Sequence, residues 1–146
     1  MLDREYPDQV CSIARALEVI GQRWSLLVVR DVFLGRHRFD ELCASTGITR
    51  SVLTARLNHL VAEGVLHRRA YQSRPERFEY HLTDKGRGLL PVLAHLMAWG
   101  DRYYAEPDGP PLRLEHRGCG GHVQDRLRCD RCDDALIPAD IRPRPA

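Results

Sequence analysis

The chain has no apolar run near the roughly 18 residues that a membrane-spanning helix requires. Its charged opening, MLDREYPDQV, has no hydrophobic stretch of the kind that leads a secreted protein. A cytoplasmic location with no membrane partner is therefore expected. No internal repeat appears. A phosphate-binding or cofactor motif is also missing, and no carboxylate stands at metal-ligand spacing beside a base. These gaps leave no catalytic residue to name, and an enzyme is not expected. The net charge is small, +2 over 146 residues.

What is present begins with a composition, 43% hydrophobic, that suits a folded domain with an appendage. The charge is also unevenly spread. Residues 36–87 carry ten Lys or Arg against six Asp or Glu, while the segments on either side are each at −1. A basic middle third suits a polyanionic partner. Three of the five cysteines fall in the last 28 residues, a clustering that points to metal or redox chemistry before structural disulfides.

The most informative stretch is ITRSVLTARLNHLVAEGVL, residues 48–66. Thr49 is a good N-cap, Leu53, Leu57, Leu60 and Val61 form one apolar stripe, and Gly64 is placed to end the helix. The opposite side holds Ser51, Thr54, Ala55, Asn58 and Ala62, with Arg50 beside it. Surface helices normally project long charges of both signs. This face is short, polar and nearly free of acids, so it fits a DNA major groove.

The neighbours extend that reading. Residues 10–20 and 24–34 have helical patterns; the second is apolar nearly all round, with Ser25 as its cap, and belongs at the centre of the core. A short helix over 38–44 and the turn Ser45-Thr46-Gly47 then lead into the recognition stretch, which is helix-turn-helix grammar. Two alternating runs, 66–71 and 77–82, flank a turn over 72–76 and predict a hairpin with Arg74 and Arg77 near its tip. Thr83 caps a long helix to about Tyr104, with Pro91 kinking or restarting it. That helix has a wider apolar surface than one small domain can cover, so a homodimer is expected. EPDGPP, residues 106–111, reads as a linker.

The chain resembles the HxlR-type winged helix-turn-helix transcriptional regulators from about Cys11 to Tyr104. The resemblance rests on CSIARALEVIGQRW, RFDEL, ITRSVLTARLNHLVAEGVLHR and YHLTDKGRGLLPVL, in that order, with Trp99 following. It implies a dimeric regulator, often a repressor. The N-terminal helix and the helix over 83–104 would form the dimer interface, and the recognition helices would enter successive major grooves of a partly palindromic double-stranded operator. Carried onto this sequence, the recognition residues are Thr49, Arg50, Ser51, Thr54 and Asn58. Arg38 becomes a phosphate contact, and Arg74 and Arg77 belong to the wing. Asn58 suits adenine, and Arg50 suits guanine or phosphate. Arg56 lies near the buried edge, where a structural or phosphate role fits better. The resemblance also aligns Cys11 with a cysteine that some relatives use to sense oxidants, quinones or aldehydes. Its place at a helix start favours thiolate. The other reading of Cys11 is a small buried residue in the dimer interface. A small-molecule or redox effector is in keeping with the family.

The tail departs from the family's minimal form. Cys129 and Cys132 form a C-x-x-C knuckle, and Cys119 lies in the turn Gly118-Cys119-Gly120-Gly121. His116 completes an H-x-x-C pair of the same spacing, and His122 is its competitor for the fourth ligand place. Four such ligands predict one structural Zn²⁺ per chain, stapling a segment with few apolar side chains. The expected fold is mainly α with a small β-wing (α+β), a winged helix-turn-helix over 1–105, and a zinc-knuckle-like extension over 106–146. The alternative function is a winged-helix protein-interaction module that leaves DNA alone. The basic middle segment and the short recognition face argue against it.

Overall fold

The computed structural model describes Tyr6 and residues 9–144; most of the charged opening lies outside the described residues. Two compact units divide the chain, Met1–Leu93 and Ala94–Ala146.

The first unit contains α1 (Ser12–Ile20), α2 (Ser25–Phe33), α3 (Phe39–Thr46), α4 (Arg50–Ala62), the hairpin β1 (Leu66–Ser73) and β2 (Glu76–Leu82), and the short α5 (Asp84–Arg87). This is a winged helix-turn-helix, helical with a small two-stranded sheet. The core comes from the stripes read in the sequence: Val28, Val29 and Val32 of α2 pack with Leu42 of α3, Leu53, Leu57 and Leu60 of α4, and Val65 and Leu66. Every one of these residues is under 3% exposed, so α2 is central, as its apolar composition predicts.

Local chemistry fixes the ends. Thr49 Oγ1 accepts from the Val52 amide, and Gly64 turns the chain away from α4 with φ of 69°. Gly47, at φ 70°, makes the corresponding turn between α3 and α4. Thr83 donates to the carbonyls of Gly64 and Val65 and accepts from the Gly86 amide, so one hydroxyl ties the end of the recognition helix to α5. Glu41 accepts from the amides of His37 and Arg38 and fastens the start of α3.

Two expectations change, and of the two readings given for Pro91 the restart is the one found. Ser25 is not the cap of α2 but its first residue, fully buried; Trp24 holds the cap position in left-handed conformation, φ 81°. The Trp24 side chain packs against the core, which offsets a backbone cost of order 1–3 kcal/mol. The wing is longer than its alternation suggests. Pairing continues through Gln72–Arg77 and Ser73–Glu76 beyond a bulge between Ala70 and Gln72, so only Arg74 and Pro75 remain as the turn. Finally, the helix over 83–104 is two helices. α5 ends at Arg87, and α6 (Leu90–Tyr103) restarts with Pro91 in its first turn, where the missing N–H costs nothing.

The second unit holds most of α6 and the tail. Ala94, Met97, Ala98 and Asp101 of α6 line one cavity of about 230 Å³ together with Leu112, Leu114 and Val123. The division therefore falls within α6, with the 106–111 linker inside the second unit. The tail itself has two small hairpins. One joins Glu115 to His122 by a single bridge; the other pairs β3 (Leu127–Arg128) with β4 (Ala135–Leu136). Among the described residues, no helix is long and apolar enough to cross a membrane.

Candidate nucleic-acid interface

The apolar stripe of α4 is buried, so its opposite side is turned to solvent. Thr49, Arg50, Ser51, Thr54, Ala55, Asn58 and Ala62 are all exposed, and Arg56 is half-buried at the edge. The small polar groups on this face are partly engaged with their own helix. The Thr54 hydroxyl donates to the Arg50 carbonyl at 2.8 Å, and the Thr49 and Ser51 hydroxyls lie 3.2 Å apart. Arg50 is held more firmly. Its Nη1 donates to Asp40 Oδ1 at 2.7 Å, and its guanidinium lies 4.6 Å from the centre of the Phe39 ring.

Beside the recognition helix, Arg38, Arg50 and Arg77 line one groove between the wing and α3. Arg38 Nε donates to Glu79 Oε1 at 3.3 Å while its guanidinium covers the Tyr71 ring. The other Glu79 oxygen accepts from Arg69 at 3.2 Å. Arg74 is exposed at the wing tip. Asp40, Glu41 and Glu76 line the same groove. The Arg50 hydrogen bond and charge, helped by the charge of Arg77, hold the Asp40 carboxyl below its ordinary range. Glu79 is lowered as well, first by its hydrogen bond with Arg69 and then by Arg38 and His81. In this arrangement Arg38, Arg50 and Arg69 each meet a carboxylate through one nitrogen.

Cys11 is exposed at the N-cap of α1. The backbone amides of Ala14 and Ile13, at the start of the helix beside its sulfur, hold the thiol pKa below its ordinary value. Cys43 is half-buried against the core. In the tail, His116 Nδ1 lies 3.2 Å from Cys119 Sγ, in a turn where the Gly120 amide donates to the His116 carbonyl. The second knuckle has the matching form: the Asp133 amide donates to the Cys129 carbonyl, and the Cys132 and Arg131 amides lower the Cys129 thiol. His122 sits on the opposite strand of the first hairpin, paired through its backbone with Glu115. His116 with Cys119 and Cys129 with Cys132 thus stand as two separate pairs. No group of three or more His, Cys, Asp or Glu is gathered at metal-binding distance among the described residues.

A family model for HxlR-like helix-turn-helix proteins matches residues 19–108. The chain belongs to the HxlR-like helix-turn-helix family. Similar relatives include an HTH-type transcriptional regulator of Mycobacterium tuberculosis, 44% identical over 92% of this chain and 85% of the relative. The regulator YdeP of Bacillus subtilis is 36% identical over 64% of this chain and 73% of its own length. Among solved structures, that of PA1607, described as a candidate transcription factor, aligns with TM-score 0.81 and 40% identity over 92% of this chain and 94% of that one. The redox regulator HypR in its reduced form aligns with TM-score 0.61 and 33% identity, over 64% of this chain and 94% of HypR.

As an HxlR-like protein, the chain is a DNA-binding transcriptional regulator and not an enzyme. Matches covering 92% of the chain must run well past residue 108, so the tail has counterparts in some relatives of this HxlR-like protein. Of the residues singled out in the sequence, the fold brings Arg38, Arg50 and Arg77 to one groove and exposes Thr49, Ser51, Thr54 and Asn58 beside Arg50. Sequence reasoning missed Asp40 and Glu79, the carboxylates that engage those arginines. Asp40 lies ten residues from Arg50, and Glu79 lies 41 from Arg38, separations that carry no local signal.

Proposed function

We propose that this HxlR-like regulator is a homodimeric repressor that sets the α4 helices of its two copies into successive major grooves of a partly palindromic operator. Recognition falls to Thr49, Arg50, Ser51, Thr54 and Asn58; Arg38 holds a phosphate, and Arg74 and Arg77 meet the DNA backbone from the wing. The observation that carries this reading is the exposed, short-chained side of α4 next to a groove with three arginines. Dimerisation uses α1 and α6, both of which leave large apolar side chains in solvent. Ile13 is 70% exposed on α1, and Leu96 and Trp99 are 48% and 56% exposed on α6. Capture of fragments from genomic DNA tests the reading. The expected yield is a small set of sites, each with two related half-sites one helical turn apart. Recovery of no preferred duplex would favour the protein-interaction module.

One structural zinc per chain, held by His116, Cys119, Cys129 and Cys132, belongs to the same proposal. Its support is the matched turn of the two pairs and the lowered Cys129 thiol. Binding would draw the two knuckles onto one ion and leave no open coordination position, so the metal's role is to hold the tail together. Elemental analysis should find about one zinc per chain, lost in Cys129→Ser and in His116→Ala but kept in His122→Ala. A zinc-free protein with a protease-resistant tail would contradict it. Cys11 is proposed as the thiol sensor, on the strength of its exposure and lowered pKa. Oxidant should weaken DNA binding by wild type and leave Cys11→Ser unaffected.

A further inference from the structure

A cavity of about 450 Å³ opens in the first unit, on residues that have no part in the proposed DNA contacts. Its floor is apolar, built from Val29, Val32 and Phe33 of α2 with Leu82, Leu90 and Leu93. Three imidazoles that stack into a column also line the cavity. The His37 and His81 rings stack at 4.3 Å and 26°, and His67 continues the column on His81 at 5.5 Å and 25°. Burial, together with the neighbouring His37, holds His81 below the ordinary imidazole range, which keeps this part of the column uncharged near neutral pH. Gly86 and two guanidinia, Arg69 and Arg87, complete the lining, which includes no carboxylate.

Both arginines have carboxylate neighbours outside that lining. Arg69 meets Glu79 at 3.2 Å; Arg87 meets Asp84, whose side chain is 99% exposed, also at 3.2 Å. The Arg87–Asp84 pair lies at the surface, where such pairs are weak and readily exchanged for a better-placed anion. Glu79 is only 17% exposed, but Arg69 is itself exposed and meets it through one nitrogen, which leaves the rest of its guanidinium to a second carboxylate. A small-molecule site is typically a cavity of this size, mostly apolar, with a few polar groups that set orientation.

We propose that this cavity binds a planar aromatic carboxylate. The ring stacks on the imidazole column and meets the apolar lining, and the carboxylate is taken by Arg69 and Arg87. Binding then reaches the DNA face through one shared residue. Glu79 bridges Arg69 on the cavity side and Arg38 on the groove side. A ligand carboxylate that replaces Glu79 on Arg69 leaves Glu79 to Arg38 and to His81, whose Nε2 lies 3.4 Å from it, and so holds Arg38 back from phosphate; the ligand then weakens DNA binding. This coupling rests on the DNA-binding reading; the binding site does not.

Calorimetric titration of the full chain with benzoate, 2-naphthoate and biphenyl-4-carboxylate tests the site, with 2-naphthalenemethanol as the neutral counterpart of naphthoate. At least one carboxylate should bind saturably at one per chain, and the alcohol about tenfold more weakly than naphthoate. Arg69→Gln should weaken the best carboxylate at least fivefold, and Leu90→Trp, which fills the cavity from a half-buried position, should abolish binding. Arg87→Gln provides a second readout should Leu90→Trp fail to fold, and Arg68→Gln, next to Arg69 in sequence but over the Phe78 ring and outside the cavity lining, should leave carboxylate affinity unchanged. Saturable binding by none of the three carboxylates, equal affinity for the alcohol, or indifference to the cavity variants would overturn the site. In a DNA-binding assay the best carboxylate should lower affinity about fivefold in wild type and not in Glu79→Gln. Unchanged DNA affinity in a protein that binds carboxylate would overturn the coupling and leave the site standing. Absence of DNA binding altogether would overturn the DNA-binding reading, with the site still judged by calorimetry.

Discussion

Arg50 sits where a base or phosphate contact is wanted, yet its guanidinium is taken by Asp40 and lies over Phe39. Such an arrangement has two consequences. On the proposed reading the arginine is held in place without DNA, so less side-chain entropy is lost on binding, and the carboxylate must be displaced or share the guanidinium when a base edge arrives. The pair is exposed, and its net contribution to stability is small. Asp40→Asn should therefore leave the melting temperature nearly unchanged. It should tighten binding to any duplex several-fold at low salt, because a negative charge leaves the phosphate-facing groove. Anisotropy titrations with specific and unrelated DNA check this; unchanged or weaker binding to both would show that Asp40 positions Arg50 rather than masks it.

At the scale of elements, the helices are legible in the sequence where they carry their own start, stripe and stop. α4 shows this best: Thr49 caps, Leu53, Leu57 and Leu60 are buried, and Gly64 takes the left-handed turn. The cap of α2 was not legible, since a tryptophan in left-handed conformation is sustained only by the tertiary packing around it. The full length of the wing was hidden too, because its last pairs join polar residues without alternation. Contacts between distant segments, such as Arg38 with Glu79 and the three-imidazole column, leave no periodic trace. The junction after α4 offers a test of how tightly these elements meet. A Cβ at Gly86 would run into the Val65 carbonyl, one of the two carbonyls that Thr83 holds. Gly86→Ala should cost about 1–3 kcal/mol in chemical denaturation, as overpacked sites do. Gly100→Ala is the contrasting case: its added methyl meets nothing, and no comparable loss is expected.

The whole molecule joins a winged DNA-reading unit to a second unit that contains most of α6 and the cysteine-bearing tail. The charge distribution follows that division of labour, with the excess of arginine in residues 36–87. Fold class and family were readable from ordered motifs alone. Assembly of the tail's four ligand candidates was not, because spacing specifies each pair but leaves open how far apart the two pairs lie. The central claim, that α4 and its flanking arginines grip duplex DNA, is tested most directly by the salt dependence of affinity for a captured genomic site. The logarithm of affinity should fall steeply and linearly with that of salt concentration, by about 0.9 per phosphate neutralised. Arg77→Ala should reduce the slope by about one per subunit, while Asn58→Ala should lower affinity for the captured site and keep the slope. A flat salt dependence, or a slope indifferent to Arg38, Arg74 and Arg77 together, would contradict the account.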